Sequence, residues 1–283
     1  MGECMKKIYT IIGVFVLICF SFYYTESAVN IVKRNDPIMK EIIKVSNMYE
    51  VGSVDAVLIN NNIIPGKSGV SLDIDKSYSN MKKLGKFNSS LLEFKEVMPT
   101  VSVSNNYDKL IISGNKSINN VSFVFKIKNN KYIEEIIDIL KSKGLYSYFF
   151  LDYDLINEPS VINLLINNNM YISYLGNNNE FNKSDLLVVR EILNKYGNKI
   201  LYCISEAFDN NIANICAREN IHTIKPSIVG GINPYLEIRN NIESGSIIEL
   251  TNNKSTIKEL RYIINYIKSK GYKIVDLNTL LKE

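Results

Sequence analysis

The stretch VSFVFKIKNNKYIEEIIDILKSKGLYSYFFLD, residues 121–152, holds a strand, a helix and a second strand, and its reading decides the fold. Val121 to Phe125 is an apolar run of strand length, rich in β-branched and aromatic residues. Tyr132 to Lys143 then sets Ile133, Ile136, Ile137 and Leu140 on one helical face, and Gly144 is the residue type that ends a helix in a left-handed turn. Tyr146 to Leu151 returns to a strand pattern. Parallel neighbours need such a crossover, usually a helix, so this is the unit of a parallel sheet.

Downstream the unit repeats. Pro159 and Ser160 open a helix through Val161, Leu164 and Leu165, and Met170 to Leu175 is a third strand. Ser184 is expected to cap a helix through Arg190 and Leu193, before a strand over Lys199 to Ser205. Asp209 is expected to cap the next, with Ile212, Ile215 and Cys216, before Ile221 to Ile224. Pro234 to Ile242 and Ser255 to Lys270 read as helices around a strand at Ser246 to Leu250, and Tyr272 to Val275 is the last strand. Seven such units predict an α/β fold over 119–283, a distorted (β/α)7 barrel, closed or nearly so.

Upstream, residues 29–118 read as a stalk helix and a small α/β domain. Ile38, Met39, Ile42, Ile43 and Val45 give a helix over Asp36 to Met48. Strands are expected at Val54 to Ile59, Val70 to Ile74, Leu91 to Val97 and Lys109 to Ser113, a turn at Pro65-Gly66, and a helix from Ser77 to Gly85. Residues 1–28 read as a cytoplasmic stub and signal anchor: Lys6 and Lys7 precede an apolar run from Ile8 to Tyr24. Bulky and charged residues from Tyr23 to Glu26 argue against cleavage, so the expected location is the cell membrane, through residues 8–24, with the globular part outside. Cys19 follows Ile18 rather than a small residue, which argues against lipidation.

Composition limits the alternatives. With 283 residues, 46% of them hydrophobic, the chain can bury a full core. A formal charge of +4 spread through mixed-sign segments gives no nucleic-acid footprint. Of four cysteines only Cys203 and Cys216 lie beyond the anchor, too few for a disulfide scaffold, and they are read as small buried apolar residues rather than a bridge.

Several segments resemble, in order, the landmarks of polysaccharide deacetylases, the NodB-homology or carbohydrate esterase family 4 domain. Val121-Ser122-Phe123-Val124-Phe125 stands where that family has the strand leading to Thr-Phe-Asp-Asp-Gly. Ser147-Tyr148-Phe149-Phe150-Leu151-Asp152 is similar to its Ala-Thr-Phe-Phe strand, and Met170 to Gly176 lies where it has a Gly-His-Glu-Ile-Gly-Asn-His-Thr run. Gly245-Ser246-Ile247-Ile248-Glu249-Leu250-Thr251-Asn252 resembles its Gly-Ser-Ile-Ile-Leu-Leu-His-Asp segment, and Gly271 to Val275 its final strand. The resemblance implies a (β/α)7 barrel with a substrate groove at the carboxyl ends of the strands.

It also implies where chemistry is lost. Family members hold a divalent metal with one Asp and a His-x-x-x-His pair, and use a second Asp as base and another His as acid. Here the Asp-Asp pair is Lys126-Ile127, the two histidines are Leu175 and Asn179, and the last His is Thr251. Leu and Ile have no lone pair to donate, and Lys126 sets a positive charge where the cation belongs. With His222 the only histidine, no other register rebuilds a two-histidine site. No metal or other cofactor is expected. Asp152, Tyr153, Tyr174, Glu206 and Glu249 are the groove candidates by strand-end position, with Asp154 and Asp209 as further carboxylates and Tyr148 as a further ring.

The expected function is therefore an exported, membrane-tethered deacetylase-like protein, a pseudoenzyme that binds carbohydrate or regulates at the cell-wall glycan. An active hydrolase removing acetyl groups through a non-standard carboxylate site is the alternative. A structural partner of an envelope protein is a third.

Overall fold

A segment that is apolar on both faces is stable as a strand covered on both sides. Asn120–Ile127 becomes one in the computed structural model of the chain, which describes residues 2–176, 181–204 and 210–283, side chains at 2–11, 25–30 and 210 aside. In chain order the first elements are α1 (Gly2–Asn35), α2 (Pro37–Ser46), β1 (Val57–Ile59), β2 (Asn62–Ile64), β3 (Gly69–Leu72), α3 (Ile74–Leu84), β4 (Phe94–Val97) and β5 (Leu110–Ile111). The alternating region follows with β6 (Asn120–Ile127), α4 (Ile133–Lys141), β7 (Tyr148–Asp152), α5 (Tyr153–Ile156), α6 (Pro159–Asn167), β8 (Tyr171–Gly176) and α7 (Lys183–Lys195). Then come β9 (Tyr202–Ile204), α8 (Asn210–Arg218), β10 (His222–Ile224), β11 (Ile228–Val229), α9 (Pro234–Asn241), β12 (Ile247–Thr251), α10 (Lys254–Ser269), β13 (Lys273–Ile274) and α11 (Leu277–Leu280).

These elements form two units, residues 53–68 with 98–283, and residues 1–52 with 69–97. In the larger unit β6, β7, β8, β9 and β10 pair side by side in sequence order, all parallel. On the other flank of β6 lie β12 and then β11, while β13 pairs with the first residues of β6.

All seven expected strands are present, but the expected closure and the domain boundary at 118 are corrected. Among the described residues β10 does not meet β11; its second neighbour is β5, and the sheet runs on through β2 to β1. The sheet curls without closing, and residues of the leading region extend it. Leu110 and Ile111 on β5 and Ile63 on β2 are fully buried, so this extension covers what would be an exposed edge at β10.

Side chains on these strands alternate between two cores. On β6 Val121, Phe123, Phe125 and Ile127 pack under the helices with Ile136, Ile137 and Leu140 of α4 and with Ile263, Ile264 and Ile267 of α10. Phe125 stacks on Phe149 of β7 with ring centroids 5.0 Å apart. The opposite face of the sheet carries Val124, Tyr148, Phe150, Leu175, Tyr202, Ile204, Ile224 and Ile247, closed off by Leu277, Leu280 and Leu281. Each such aromatic or aliphatic side chain contributes about 1.5–3 kcal/mol by leaving water.

Two glycines permit close approaches. Gly66, in the Pro65-Gly66 turn, leaves only 2.1 Å between a would-be Cβ and the carbonyl oxygen of Val54. Gly245 has φ +85, and a Cβ there would stand 2.5 Å from both the Gly114 oxygen and the Ser113 hydroxyl.

Local corrections follow the capping chemistry. Asn182, not Ser184, caps α7, its side-chain oxygen accepting from Asp185 N at 2.9 Å. Asp209, expected to cap α8, lies outside the described residues. Cys203 and Cys216 are joined by a disulfide, against the expectation of two separate buried thiols. Cys203 faces the helices from β9 and Cys216 sits on the sheet-facing side of α8, in the same core, where the crossover brings them together. Small buried residues and a bridge share one sequence signature, which is why the pairing was not legible. Closing a loop with sequence separation 13 is worth about 2–3 kcal/mol. Accordingly, urea unfolding with and without reductant should show a loss of unfolding free energy of that size and a matching fall in midpoint, absent from the Cys203→Ala/Cys216→Ala double variant. An identical midpoint under both conditions in the parent chain would rule the bridge out as a stabilising link.

The smaller unit is built on Ile38, Ile42, Leu72 and Met81, contributed by α2, β3 and α3. Asp36 caps α2 by accepting from Ile38 N at 2.9 Å, and its other oxygen accepts from Tyr78 at 3.0 Å and Lys82 at 2.6 Å. The Lys82 hydrogen bond foremost, with that from Ile38, holds the Asp36 carboxyl below its ordinary value. Gly85, φ +76, ends α3 in the left-handed conformation. Along α1, Ile12, Phe15, Leu17, Phe22 and Tyr24 are exposed. No helix among the described residues is long and apolar enough to cross a membrane.

Candidate functional site

The carboxyl ends of the parallel strands place Lys126, Asp152, Leu175 and Thr251 at one end of the sheet. Period-two alternation sends Lys126 to the same face as Val124, opposite to Ile127, which is fully buried beneath the helices. On β12, Glu249 and Thr251 share the face of Ile247. Because Lys126 lies opposite Thr251 and Val124 opposite Glu249, Lys126 and Glu249 are diagonal neighbours on adjoining strands. Their charged groups meet at 3.1 Å, with side chains only 4% and 5% exposed.

A buried ammonium–carboxylate pair is therefore the electrostatic centre of this end of the sheet. Buried charges are costly unless paired, and here each has its countercharge within reach. Thr251, half-buried, accepts from Asn253 Nδ2 at 2.7 Å. Leu175 packs with Val124, Phe150 and Ile204. Asp152 is buried and caps α5, accepting from Asp154 N at 3.0 Å. Tyr153 is half-buried against the helical core. Asn179 and Glu206 lie outside the described residues.

Two expected ring positions are corrected. Tyr174 is fully buried under the helices, its ring 5.0 Å from that of Phe181 and its hydroxyl 3.5 Å from Asp185. Burial, reinforced by the Asp185 charge, pushes its phenol upward, and it is turned away from any groove. Tyr174 lies opposite Leu151 and Ile172 opposite Phe149, all facing the helices, so regular alternation assigns Leu175 and not Tyr174 to the inner core. Tyr148 does face inward but is buried deep, donating to Asn278 Oδ1 at 2.9 Å and stacked on Tyr171.

His222 starts β10, at the opposite end of the strands from Lys126. Its ring lies 4.1 Å from Tyr107, stacked, and Nδ1 is buried with no hydrogen-bond partner. Burial, opposed more weakly by the Glu283 charge, brings its pKa down to about 4.

Sequence reasoning missed one further contributor, Asn252. Its buried amide donates to the backbone oxygens of Asn129 and Lys131, both at 2.8 Å, and so ties the end of β12 to the segment leaving β6. The Asn-rich composition hid this signal, since nothing local separates a clamp from a loop asparagine.

The donor set does not fit a divalent metal. A zinc-type centre needs several lone-pair donors converging on one point. Among the described residues, the positions that would supply them carry an ammonium, already paired, and the hydrocarbon side chains of Ile127 and Leu175. Among the described residues no three His, Cys, Asp or Glu side chains are grouped to hold an ion.

No family model matches the sequence. An uncharacterized Bacillus subtilis (strain 168) protein, YlxY, is 23% identical over 287 residues, spanning 91% of this chain and 88% of that one. Among solved structures, the wild-type family 4 carbohydrate esterase pseudoenzyme BA3943 from Bacillus anthracis is similar at a TM-score of 0.66 and 23% identity, over 88% of this chain and 96% of that chain. A mutant of that protein, described as having restored enzymatic activity, superposes with a TM-score of 0.67, at 23% identity over 88% of this chain and 99% of that chain. Bacillus subtilis PdaA, a family 4 carbohydrate esterase, covers 62% of this chain and 86% of its own at 18% identity and a TM-score of 0.55. The likeness to the pseudoenzyme covers 88% of this chain and that to the esterase 62%. The chain has the fold of the family 4 polysaccharide deacetylases, in the longer form seen in a pseudoenzyme of that family.

Proposed function

We propose that this protein is a non-catalytic, deacetylase-like protein that binds an envelope glycan outside the cell, held at the membrane by its N-terminal segment. The observation that carries the reading is the buried Lys126–Glu249 pair, which neutralises internally the place where the resemblance puts a metal and its base. A fixed ammonium supplies charge but no exchangeable site for water, so no activated hydroxide forms on it. Asp152 is engaged in capping α5, which leaves it poorly suited to act as the base of an alternative site.

Two observations support an extracytoplasmic location. The Cys203–Cys216 bridge suits an oxidising compartment. Exposed apolar side chains on α1, from Ile12 to Tyr24, are of a kind that lipid would cover. Retention of the full chain in carbonate-washed membranes is the matching expectation, and release into the soluble fraction counts against tethering.

The test of function is a pull-down on peptidoglycan and chitin, run with and without chelator. Retention on at least one polymer, indifferent to chelator and unaccompanied by acetate release, is the expected result. Chelator-sensitive acetate release would make the protein a hydrolase, and no retention on either polymer would remove the glycan role.

A further inference from the structure

We propose that the outer surface carries a second saccharide site, a tyrosine-lined pocket between α9 and α10 that takes a neutral or acidic pyranose. It lies on the helical layer and shares no residue with the strand-end site described above.

The pocket follows from the pattern of α10. Leu260, Ile263, Ile264 and Ile267 supply that helix's buried face. Its other side presents two rows at four-residue spacing, Tyr262 with Tyr266 and Asn265 with Ser269. Tyr235, in the first turn of α9, closes one end, its ring at 70° to that of Tyr266 and 5.5 Å away. Glu259 fixes this corner by accepting from Tyr235 N at 2.8 Å. These six residues line a cavity of about 490 Å³, within the usual range of small-molecule sites of about 300–1,000 Å³. Tyr262 is 69% exposed, so its ring is not needed to fill the core.

Ring faces set at an angle, edged by phenol, amide and hydroxyl groups, match a ligand that is apolar on its flat faces and polar around its rim. A pyranose is such a ligand. Charge narrows the class. The Lys270 ammonium already stands over the Tyr266 ring at 5.5 Å, where a cationic guest would seek the same face. That ammonium disfavours a cationic guest at this ring and leaves neutral or acidic sugars.

This inference rests on the glycan reading, and the experiment separates the two. Tyr262→Ala removes an exposed ring and leaves the fold intact; it is expected to weaken binding to an N-acetylated chito-oligosaccharide or a soluble peptidoglycan fragment about tenfold. Because the chain has no tryptophan, Tyr262→Trp adds a single reporter, whose emission should change saturably with the same sugars. If Tyr262→Ala binds as the parent does and the reporter is silent, this site is wrong while glycan binding elsewhere stands. If the parent itself binds neither sugar, both readings fall. A reporter response to tetramethylammonium but not to sugar would overturn the ligand class.

Discussion

Lys126→Met is expected to destabilise the chain by about 3–5 kcal/mol, the cost of removing one member of a buried ion pair. Methionine fits the space of the lysine stem, so little of this loss comes from packing. The carboxylate of Glu249, 5% exposed, would lose its countercharge in that pair. Glu249→Leu removes the other member of the pair and should cost a similar amount. The informative variant is the pair, Lys126→Met with Glu249→Leu, which removes both charges and should recover most of the loss. Urea denaturation of the four proteins measures the coupling directly. Strictly additive single effects would mean that the two charges do not depend on each other, and the central role given to this pair would then be lost.

The strand-end site shows what a sequence can and cannot display. Lys126 and Glu249 each stand out singly, one as a cation in a metal's place and the other as a strand-end carboxylate. Their pairing needs the register that sets Lys126 opposite Thr251, and register is a tertiary fact. Tyr174 was misplaced for a related reason. On a half-exposed strand polarity tells which alternate residues face inward, but β8 is apolar on both sides, so Ile172 and Tyr174 could not be told from Ser173 and Leu175 as the helix-facing set.

Element length governed the rest of the fold. β6 and α4 were legible because eight and nine residues carry a full period of pattern. β11, two residues long, carries none. β5 lies within the strand expected at Lys109 to Ser113, but its pairing with β10 is a matter of tertiary register, and without that pairing the leading region reads as an independent domain. Two buried residues, Leu110 and Ile111, thus decide where the sheet continues.

His222 should make the protein sensitive to mild acid. An unfolded chain takes up a proton at this histidine near its ordinary pKa of 6.5, whereas the folded protein resists until about 4. Between those values the unfolded state holds the extra proton, so stability rises with pH across this window and is lost as pH falls through it. The full shift corresponds to about 3 kcal/mol. Its cause is local: the ring lies against Tyr107 and near Tyr202, and the distant Glu283 charge offsets only part of the burial. His222→Phe keeps a flat ring for Tyr107 to stack on and also removes a buried nitrogen that has no partner. Urea midpoints for both proteins should therefore diverge from pH 7 to pH 4.5, the parent falling and the variant staying nearly level. Asp36, Asp75 and Glu219, all held below their ordinary values by lysine partners, contribute to acid sensitivity in both proteins at lower pH, and so cancel in the comparison. Parallel pH curves would show that His222 does not titrate abnormally and that its environment is wetter than the stacked, unpartnered ring implies.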